Sequence, residues 1–143
     1  MFFSKSCEYA LRATLFLAQN KSEEKLGIST IASKLDIPEA YLSKVMQTLV
    51  KHKIVSSSKG RNGGFYLSKN ELNEPLVRIV HAIDGDDVFL KCGLGIKDCS
   101  STKPCPLHND IKAYRENLRL ALSTNTINSM QSDLQNGLTF LRR

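Results

Sequence analysis

The sequence predicts a mainly α fold: a winged helix-turn-helix with a long C-terminal dimerisation helix. Three observations support this prediction. Apolar residues recur at helical spacing in several segments, two of these segments are short and joined by a tight turn at residues 36–38, and a glycine-rich hairpin follows them. With 143 residues, of which 41% are hydrophobic, the chain can bury one core.

The first three helices are predicted from spacing and from signals at their ends. A first amphipathic helix is expected over residues 6–20. Ser29 or Thr30 is expected to cap a second, because a hydroxyl there satisfies a free N–H group. Pro38 is expected to open a third helix that ends near His52, since the missing proline N–H is harmless in the first turn. The expected core residues are Cys7, Ala10, Leu11, Thr14 and Leu17, then Ile31, Ala32 and Leu35.

The third helix carries the clearest periodic signal in the chain. Its apolar positions recur at gaps of three, one, three and one, which places them on one side of a helix. The other side has small or polar side chains and no carboxylate. This pattern favours a recognition helix that enters the major groove of DNA, although a plain solvated helix has the same pattern. The apolar side comprises Leu42, Val45, Met46, Leu49 and Val50, and the other comprises Ala40, Ser43, Lys44, Gln47 and Lys51.

A hairpin after these helices predicts a wing. Residues 54–58 and 65–67 are expected to form its strands, with Asn62 and Gly63 supplying the positive backbone angles of a tight turn. A cationic tip suits the minor groove and the neighbouring phosphates, whereas an ordinary glycine turn would have no such role. The tip carries the cations Lys59 and Arg61 and the glycines Gly60, Gly63 and Gly64.

The positive charge of the chain is concentrated in this region. The formal net charge is +6, and residues 41–70, the basic stretch, contain six cations and no acidic residue. A polyanionic partner is therefore expected, and the location favours double-stranded DNA over an anionic membrane. The chain shows no export leader and no apolar run of about 20 residues, so a cytoplasmic protein is expected. The six cations are Lys44, Lys51, Lys53, Lys59, Arg61 and Lys69.

Three further segments complete the chain. Residues 75–84 predict a fourth helix. A long helix from Pro106 carries apolar residues at alternating gaps of four and three, a seam that one helix cannot bury alone, so it packs either on the DNA-binding domain or on a second copy of the chain. A homodimer is expected, because DNA-binding proteins of this kind usually pair to span two half-sites. A last helix is expected to fold back on the core. The seam comprises Leu107, Ile111, Tyr114, Leu118 and Ala121, and the last helix is expected to carry Ile127, Met130, Leu134, Leu138 and Leu141.

A cysteine loop lies between the fourth helix and the long helix. Cys92, Cys99 and Cys105 are separated by six and five residues, and His108 follows three places later. Thiolates at this density favour an iron-sulfur cluster or zinc over hard cations. Disulfides are disfavoured in the reducing cytoplasm. The sequence thus divides into a DNA-binding domain (residues 1–84), a metal-binding cysteine loop (residues 85–105), and a dimerisation helix with a C-terminal helix (residues 106–143).

Four motifs occur in order and resemble one known family. They are SCEYALRA, the helix pair IxxIAxxLxIPxxYLSKVMQxL, the wing KGRNGGFxL, and the loop Cys-x6-Cys-x5-CPLH. Together they resemble the winged-helix regulator family that includes the iron-sulfur regulator IscR and the nitric-oxide-sensing repressor NsrR. The resemblance implies a homodimer that binds operator DNA and holds a [2Fe-2S] cluster, or a [4Fe-4S] cluster.

Site residues follow from the resemblance by position. The cluster thiolates fall on Cys92, Cys99 and Cys105. His108 falls on the histidine ligand of the IscR-like members, with Glu8 as a competing fourth ligand. The first cysteine gap is six residues where the family usually has five, and Ser43 stands where some members place a carboxylate. The DNA contacts fall on Ala40, Tyr41, Ser43 and Lys44 of the recognition helix and on Lys59 of the wing, with Gln47, Arg61 and Gly63 as expected neighbours.

Other functional classes have weaker support in the sequence. A Cys3His zinc site is the alternative to a cluster, and a thiol-sensing regulator without metal is another. A redox protein without a DNA role would not need the basic stretch. An enzyme is not expected, because the chain lacks a nucleotide-binding glycine loop and a placed nucleophile with its base. Cys7 is expected to be a small buried residue, and His52 and His81 are expected to be structural.

Overall fold

The computed structural model describes residues 2–20 and 24–143, and over these the chain is mainly helical with a two-stranded antiparallel sheet. This confirms the predicted fold class. Helix α1 is central, since it packs against α2, α3, α5 and α8. None of the described helices is long and apolar enough to cross a membrane. The elements are α1 (Lys5–Gln19), α2 (Ile28–Leu35), α3 (Glu39–Lys51), β1 (Ser56–Ser58), β2 (Gly64–Tyr66), α4 (Lys69–Leu72), α5 (Val77–Asp84), α6 (Asp87–Leu90), α7 (His108–Thr124) and α8 (Ile127–Gln135).

Helix α1 begins where Ser4 caps it, because the Ser4 hydroxyl accepts the N–H of Cys7 at 3.1 Å. The inward face is built from small side chains, and Cys7, Ala10 and Ala13 are fully buried. Small residues on this face let neighbouring helices pack closely. The predicted span was right to within one residue at each end, although Leu11 is only partly buried.

The helix-turn-helix is confirmed, but the predicted cap of its first helix is wrong. Helix α2 begins at Ile28 after Gly27, without a side-chain cap, so Ser29 and Thr30 lie exposed in its first turn. Asp36 ends α2 in the left-handed conformation, with φ +56°, and its N–H reaches the carbonyls of Ala32 and Ser33. This turn leads directly into α3.

Helix α3 has the two-sided character that its sequence predicts. Leu42, Val45, Met46 and Leu49 are buried, and Val50 is partly buried against the same core. Contacts with α1, α2 and α5 cover this side. Because the apolar side is held by three helices, the polar side is fixed in orientation and faces solvent.

The wing forms, but its turn differs from the predicted one. The strands pair Ser56 with Tyr66 and Ser58 with Gly64. Asn62 and Gly63 do not have positive φ, so the predicted turn is wrong; the positive angles lie at Gly60 (+103°) and Gly64 (+150°). The tip is longer than a two-residue turn, and its positive φ angles lie to either side of Asn62 and Gly63 rather than at these two residues.

A short segment before α2 extends the wing. The backbone of Leu26 exchanges two hydrogen bonds with Phe65, at 2.9 and 2.8 Å. At Gly64, next to this bridge, a Cβ would lie 2.6 Å from the Leu26 carbonyl oxygen. The wing therefore depends on glycine at position 64.

We expect Gly64→Ala to destabilise the protein more than Gly60→Ala. Both positions have positive φ, which costs an alanine about 1–3 kcal/mol. A Cβ at Gly60 meets nothing within 4 Å, whereas at Gly64 it overlaps the Leu26 backbone, which adds on the order of 2 kcal/mol. Urea unfolding of both variants measures the difference. Equal losses of unfolding free energy would contradict the close approach of Leu26.

Helices α4 and α6 were not predicted. Helix α4 is one turn, held by a capping box in which Ser68 and Glu71 each bond the backbone of the other. Helix α6 lies inside the segment predicted as a loop and buries Phe89. Both are too short to show a period in the sequence. Helix α5 begins at Val77 rather than Pro75 and ends at Asp84, where Gly85 has φ +69°.

The C-terminal helices differ from prediction at their ends. Helix α7 begins at His108 rather than Pro106, and Tyr114 and Leu107 in its predicted seam are 41% and 45% exposed. Helix α8 folds back on α1, as predicted, but ends at Gln135. Leu138 is 70% exposed, so its predicted place in the core is wrong. Gly137, with φ +70°, accounts for the early end of the helix.

Candidate nucleic-acid interface and cysteine site

The recognition side of α3 is open to solvent. Ala40, Tyr41, Lys44 and Gln47 are exposed, and Ser43 is partly exposed. These residues face away from the core because Leu42, on the other side, is fully buried. The structure thus brings the predicted α3 residues together on one surface of the size that a major groove accepts.

Tyr41 is held in place by helix α1. Its hydroxyl lies 2.9 Å from the Ser6 hydroxyl, and its ring meets the Tyr9 ring edge-on, with centroids 5.3 Å apart. The ring is 42% exposed, so one side remains free for a ligand. Sequence reasoning missed Ser6 and Tyr9 as supports, since nothing in the α1 period indicates a contact with α3.

The wing tip presents the predicted cations. Lys59 and Arg61 are exposed and Gly63 is partly buried. A third cation that the sequence did not indicate lies at the base. Lys25 donates to the Ser58 hydroxyl at 3.4 Å, and its ammonium group lies 5.6 Å from the Tyr66 ring centroid. Only the pairing of Leu26 with β2 brings this lysine to the wing.

The cations of the basic stretch have no acidic partner within residues 2–20 and 24–143. The ion pairs in these ranges link Lys5 with Glu8, Arg78 with Glu74, His81 with Asp86, and Lys91 with Asp87. Positive charge on α3 and the wing is therefore available to phosphate groups.

A buried carboxylate anchors the base of the wing. Glu71 on α4 accepts hydrogen bonds from the Ser56 hydroxyl at 2.8 Å and from the Ser68 N–H at 2.8 Å. Its side chain is 8% exposed. Strand β1 is thereby tied to α4, so the wing has a fixed direction relative to the core.

The three cysteines of the loop lie between helices α6 and α7, which pack on each other. Cys92 follows the C-cap of α6, and His108 is the first residue of α7. The pKa of the Cys92 thiol is lowered, mainly because the N–H groups of Leu94 and then Ile96 donate to its sulfur. The Cys105 side chain and the Arg115 charge lower it further, and burial opposes the shift. Cys92 thus has a thiolate-favouring environment next to Cys105.

Cys99 lies in a second group with His108 and Arg115. Its sulfur is 3.5 Å from His108 Nδ1 and accepts a hydrogen bond from an Arg115 terminal nitrogen at 3.1 Å. The other imidazole nitrogen lies 3.4 Å from the Ser101 hydroxyl. His108 is 7% exposed, so the imidazole beside the cysteine loop is buried.

The four predicted ligands are therefore grouped as two pairs: Cys99 with His108, 3.5 Å apart, and Cys92 with Cys105, whose side chain lowers the pKa of the Cys92 thiol. Over the part of the chain that the structure describes, no three His, Cys, Asp or Glu side chains converge closely enough to hold a single ion. The donor set nevertheless fits an iron-sulfur cluster in its chemistry. Three thiols are available, and the N–H groups of Leu94 and Ile96 donate to the Cys92 sulfur. The buried Arg115 guanidinium adds a positive charge, and its Nε has no partner in the described residues.

The remaining predicted residues lie elsewhere. Glu8 on α1 is 3.1 Å from Lys5. Cys7 is fully buried, as predicted, and burial together with the Asp84 charge raises the pKa of its thiol to about 12. His52 Nδ1 bonds the Thr48 carbonyl at 3.0 Å, and His81 pairs with Asp86. The last two agree with the predicted structural roles.

Sequence reasoning missed Arg115. It is buried on α7 and contacts both Cys99 and the carbonyl oxygen of Lys91. In the sequence, an arginine in the middle of a helix rich in polar residues does not indicate that its side chain is buried or that it contacts a cysteine. A search for cations one or two turns after His108 would have found it, because residues at these offsets share one face of a helix.

Known regulators match the chain over most of its length. It matches the Rrf2 family, described as iron-dependent transcriptional regulators, over residues 3–133. The HTH-type transcriptional regulator NsrR of Oceanobacillus iheyensis is 32% identical over 114 residues, which cover 78% of this chain and 76% of the relative. A putative HTH-type transcriptional regulator of Aquifex aeolicus is 30% identical over 132 residues, or 91% of each chain.

Solved structures share the fold. CymR of B. subtilis, described as the global cysteine regulator, matches with a TM-score of 0.73 and 18% identity over 91% of this chain and 95% of CymR. IscR of T. potens matches with a TM-score of 0.72 and 22% identity over 96% of this chain and 90% of IscR. The relatives are transcriptional regulators rather than enzymes, as the sequence predicted. The chain thus belongs to the Rrf2 family of DNA-binding transcriptional regulators.

Proposed function

We propose that this regulator is a homodimer whose affinity for operator DNA is controlled by an iron-sulfur cluster held by Cys92, Cys99, Cys105 and His108. The observation that carries the proposal is the arrangement of these side chains in two pairs at the junction of the cysteine loop and α7. The loop is thereby connected to the helix expected to pair two subunits.

Two pairs of ligands suit a [2Fe-2S] cluster better than a single zinc ion. A [2Fe-2S] cluster takes two protein ligands on each iron, whereas zinc needs all four ligands at about 2.0–2.3 Å from one atom. The Cys99–His108 pair also supports His108 over Glu8 as the fourth ligand, since Glu8 is paired with Lys5. When bound, such a cluster supplies a one-electron redox centre that oxygen or nitric oxide can attack.

The proposed DNA contact uses α3 for the major groove and the wing for the minor groove. The residues that would contact operator DNA are Ala40, Tyr41, Ser43, Lys44 and Gln47 on α3 and Lys59, Arg61 and Gly63 on the wing, all exposed except the partly buried Ser43 and Gly63. In a dimer, two copies of α3 would reach half-sites about 34 Å apart. The exposed Leu107, just before α7, and the exposed Tyr114 on α7 support a second copy of the chain as the partner.

One residue, Asp84, borders both proposed sites and supports coupling between them. Asp84 at the end of α5 accepts the Ser4 N–H at 2.8 Å. It lines a cavity of about 860 Å³ beside Tyr41 and Lys44, and a second of about 510 Å³ that reaches Arg115. By linkage, a cluster state that favours DNA binding must itself be favoured by DNA.

The test compares one preparation in two states. Protein purified without oxygen is assayed for iron, acid-labile sulfide and zinc, and an operator is selected from random DNA. Affinity is then measured with the cluster and after its removal by a chelator. The proposal predicts about two irons and two sulfides per chain and a change in Kd of at least tenfold on removal. A colourless protein with one zinc per chain, or equal affinities, would refute cluster control.

A thiol-sensing regulator without metal is the second candidate. The N–H groups and the Cys105 side chain that lower the pKa of the Cys92 thiol support it. Peroxide would then oxidise the two thiols to a disulfide and be reduced to water. In this case metal-free protein would bind the operator, and peroxide would weaken that binding only when both cysteines are present.

A further inference from the structure

Arg115 is a buried cation on helix α7. Its side chain is 8% exposed. One terminal nitrogen donates to the Lys91 carbonyl oxygen at 2.5 Å, the other donates to the Cys99 sulfur at 3.1 Å, and Nε has no partner among the described residues. An arginine guanidinium stays charged at every pH that a protein tolerates. A permanent positive charge is thus held inside the protein.

No carboxylate neutralises this charge within residues 2–20 and 24–143, since none of the ion pairs there includes Arg115. Two further cations, Lys112 and Arg119, line the same cavity of about 420 Å³, with Glu116 as the acidic residue on its wall. Arg119 is engaged otherwise, with its guanidinium 4.6 Å from the Phe89 ring centroid. Burying a charge without a counter-charge is costly, so the environment of Arg115 calls for an anion.

The two contacts of Arg115 connect both ligand pairs. Cys99 belongs to one pair, and Lys91 directly precedes Cys92 of the other. Three thiolates on a [2Fe-2S] core would carry a net negative charge next to the guanidinium, and this charge grows when the core is reduced. Hydrogen bonds to sulfur and nearby positive charge both raise the potential of such a centre.

We propose that Arg115 is the positioning residue that neutralises the cluster thiolates, holds the Cys99 and Cys92 sides of the loop together, and joins them to α7. The inference rests on the proposed cluster function. Arg115 lies seven residues, or two helical turns, after His108, so the same face of α7 carries the histidine and the counter-charge. Loss of the thiolate ligands from this face would leave the cation uncompensated, which links cluster loss to the dimerisation helix.

Three variants test the proposal. Arg115→Met keeps an unbranched side chain and removes the charge. Arg115→Lys keeps the charge and removes the two-pronged donor, and Arg119→Met removes a cation from the same cavity without touching sulfur. Each full-length protein is prepared with its cluster and after chelation. Iron loss to a chelator, the midpoint potential and the melting temperature of the metal-free protein are measured.

Arg115→Met is expected to lose iron at least about tenfold faster than the wild type. Its midpoint potential should fall by about 59 mV or more, a tenfold change in the ratio of oxidised to reduced protein. Arg115→Lys should restore most of the potential, and Arg119→Met should behave as the wild type. The metal-free Arg115→Met protein should melt no lower than the metal-free wild type, because it lacks the uncompensated charge.

Two results would overturn the proposal for Arg115 while leaving cluster control intact. One is an Arg115→Met protein with wild-type iron retention and midpoint potential. The other is a metal-free Arg115→Met protein whose melting temperature falls by several degrees, because this would indicate that Arg115 only packs in the core. A wild-type protein that takes up no iron would instead refute the proposed function, and the role of Arg115 with it. The iron assay on the wild type therefore separates the two failures.

Discussion

Cys92→Ala is expected to abolish the cluster, and Cys7→Ala to leave it intact. Cys92 pairs with Cys105, and the N–H groups of Leu94 and Ile96 favour its thiolate. Loss of even an outer hydrogen-bond partner costs about 10–100-fold in metal affinity, so loss of a direct ligand should cost more. Cys7 is fully buried, and the raised pKa of about 12 keeps it protonated at neutral pH, so it does not compete as a ligand.

Visible absorbance and iron content of anaerobically purified variants measure this effect. Cys99→Ala, Cys105→Ala and His108→Ala extend the series, and circular dichroism confirms that each variant folds. The histidine variant is expected to keep some absorbance, because three thiolates remain. Retention of full absorbance and iron by Cys92→Ala would exclude the proposed ligand set, whereas loss of colour in Cys7→Ala with an intact fold would place the cluster elsewhere.

The double variant Lys44→Ala/Lys59→Ala is expected to bind operator DNA much more weakly than the wild type. One lysine lies on the exposed side of α3, the other at the wing tip, and neither is in an ion pair of the described residues. A dimer would lose four cations. The loss should amount to about 1–3 kcal/mol for each position, and the slope of log affinity against log salt should fall by roughly 0.9 for each phosphate contact removed.

A charge-matched control separates local contact from net charge. Arg142→Ala/Arg143→Ala removes two cations that are exposed and lie outside both the basic stretch and the cysteine loop. Fluorescence anisotropy at several salt concentrations should give this control nearly the wild-type slope. If both double variants lose affinity equally, general electrostatic attraction explains the binding, and the assignment of α3 and the wing as the contact surface is wrong.

Elements set by periodicity could be predicted, and elements set by tertiary contacts could not. The gaps between Leu42, Val45, Met46 and Leu49 were sufficient for α3, because each apolar side chain needs the same buried side. Ser29 was a poor cap prediction since α2 starts one residue earlier, at Ile28, which packs partly against the core. Side-chain chemistry at a helix end was outweighed by burial.

The wing turn shows a second limit. Asn62–Gly63 has the composition of a two-residue turn, yet the chain uses Gly60 and Gly64 for its positive φ angles. The bridge to Leu26 explains this choice, since it brings backbone against Gly64 where no side chain fits. A partner nearly forty residues away in sequence leaves no local trace.

At the cysteine site the ligand types could be predicted, but their arrangement could not. Spacing alone named Cys92, Cys99, Cys105 and His108. The division into two pairs depends on the packing of α6 against α7 and on Arg115, which reaches back to the Lys91 carbonyl. Neither is encoded in the distance between cysteines.

The attachment of Leu26 to β2 has a consequence for how such regulators diverge. Lys25 and Leu26 lie outside the recognition helix and outside the hairpin, but they help to set where the wing stands and what charge its base carries. With the proposed contact between wing and DNA, two homologues with identical α3 and identical tips would differ in promoter preference through this connecting segment alone. Alignments used to transfer binding motifs between genomes should weigh these two positions as well.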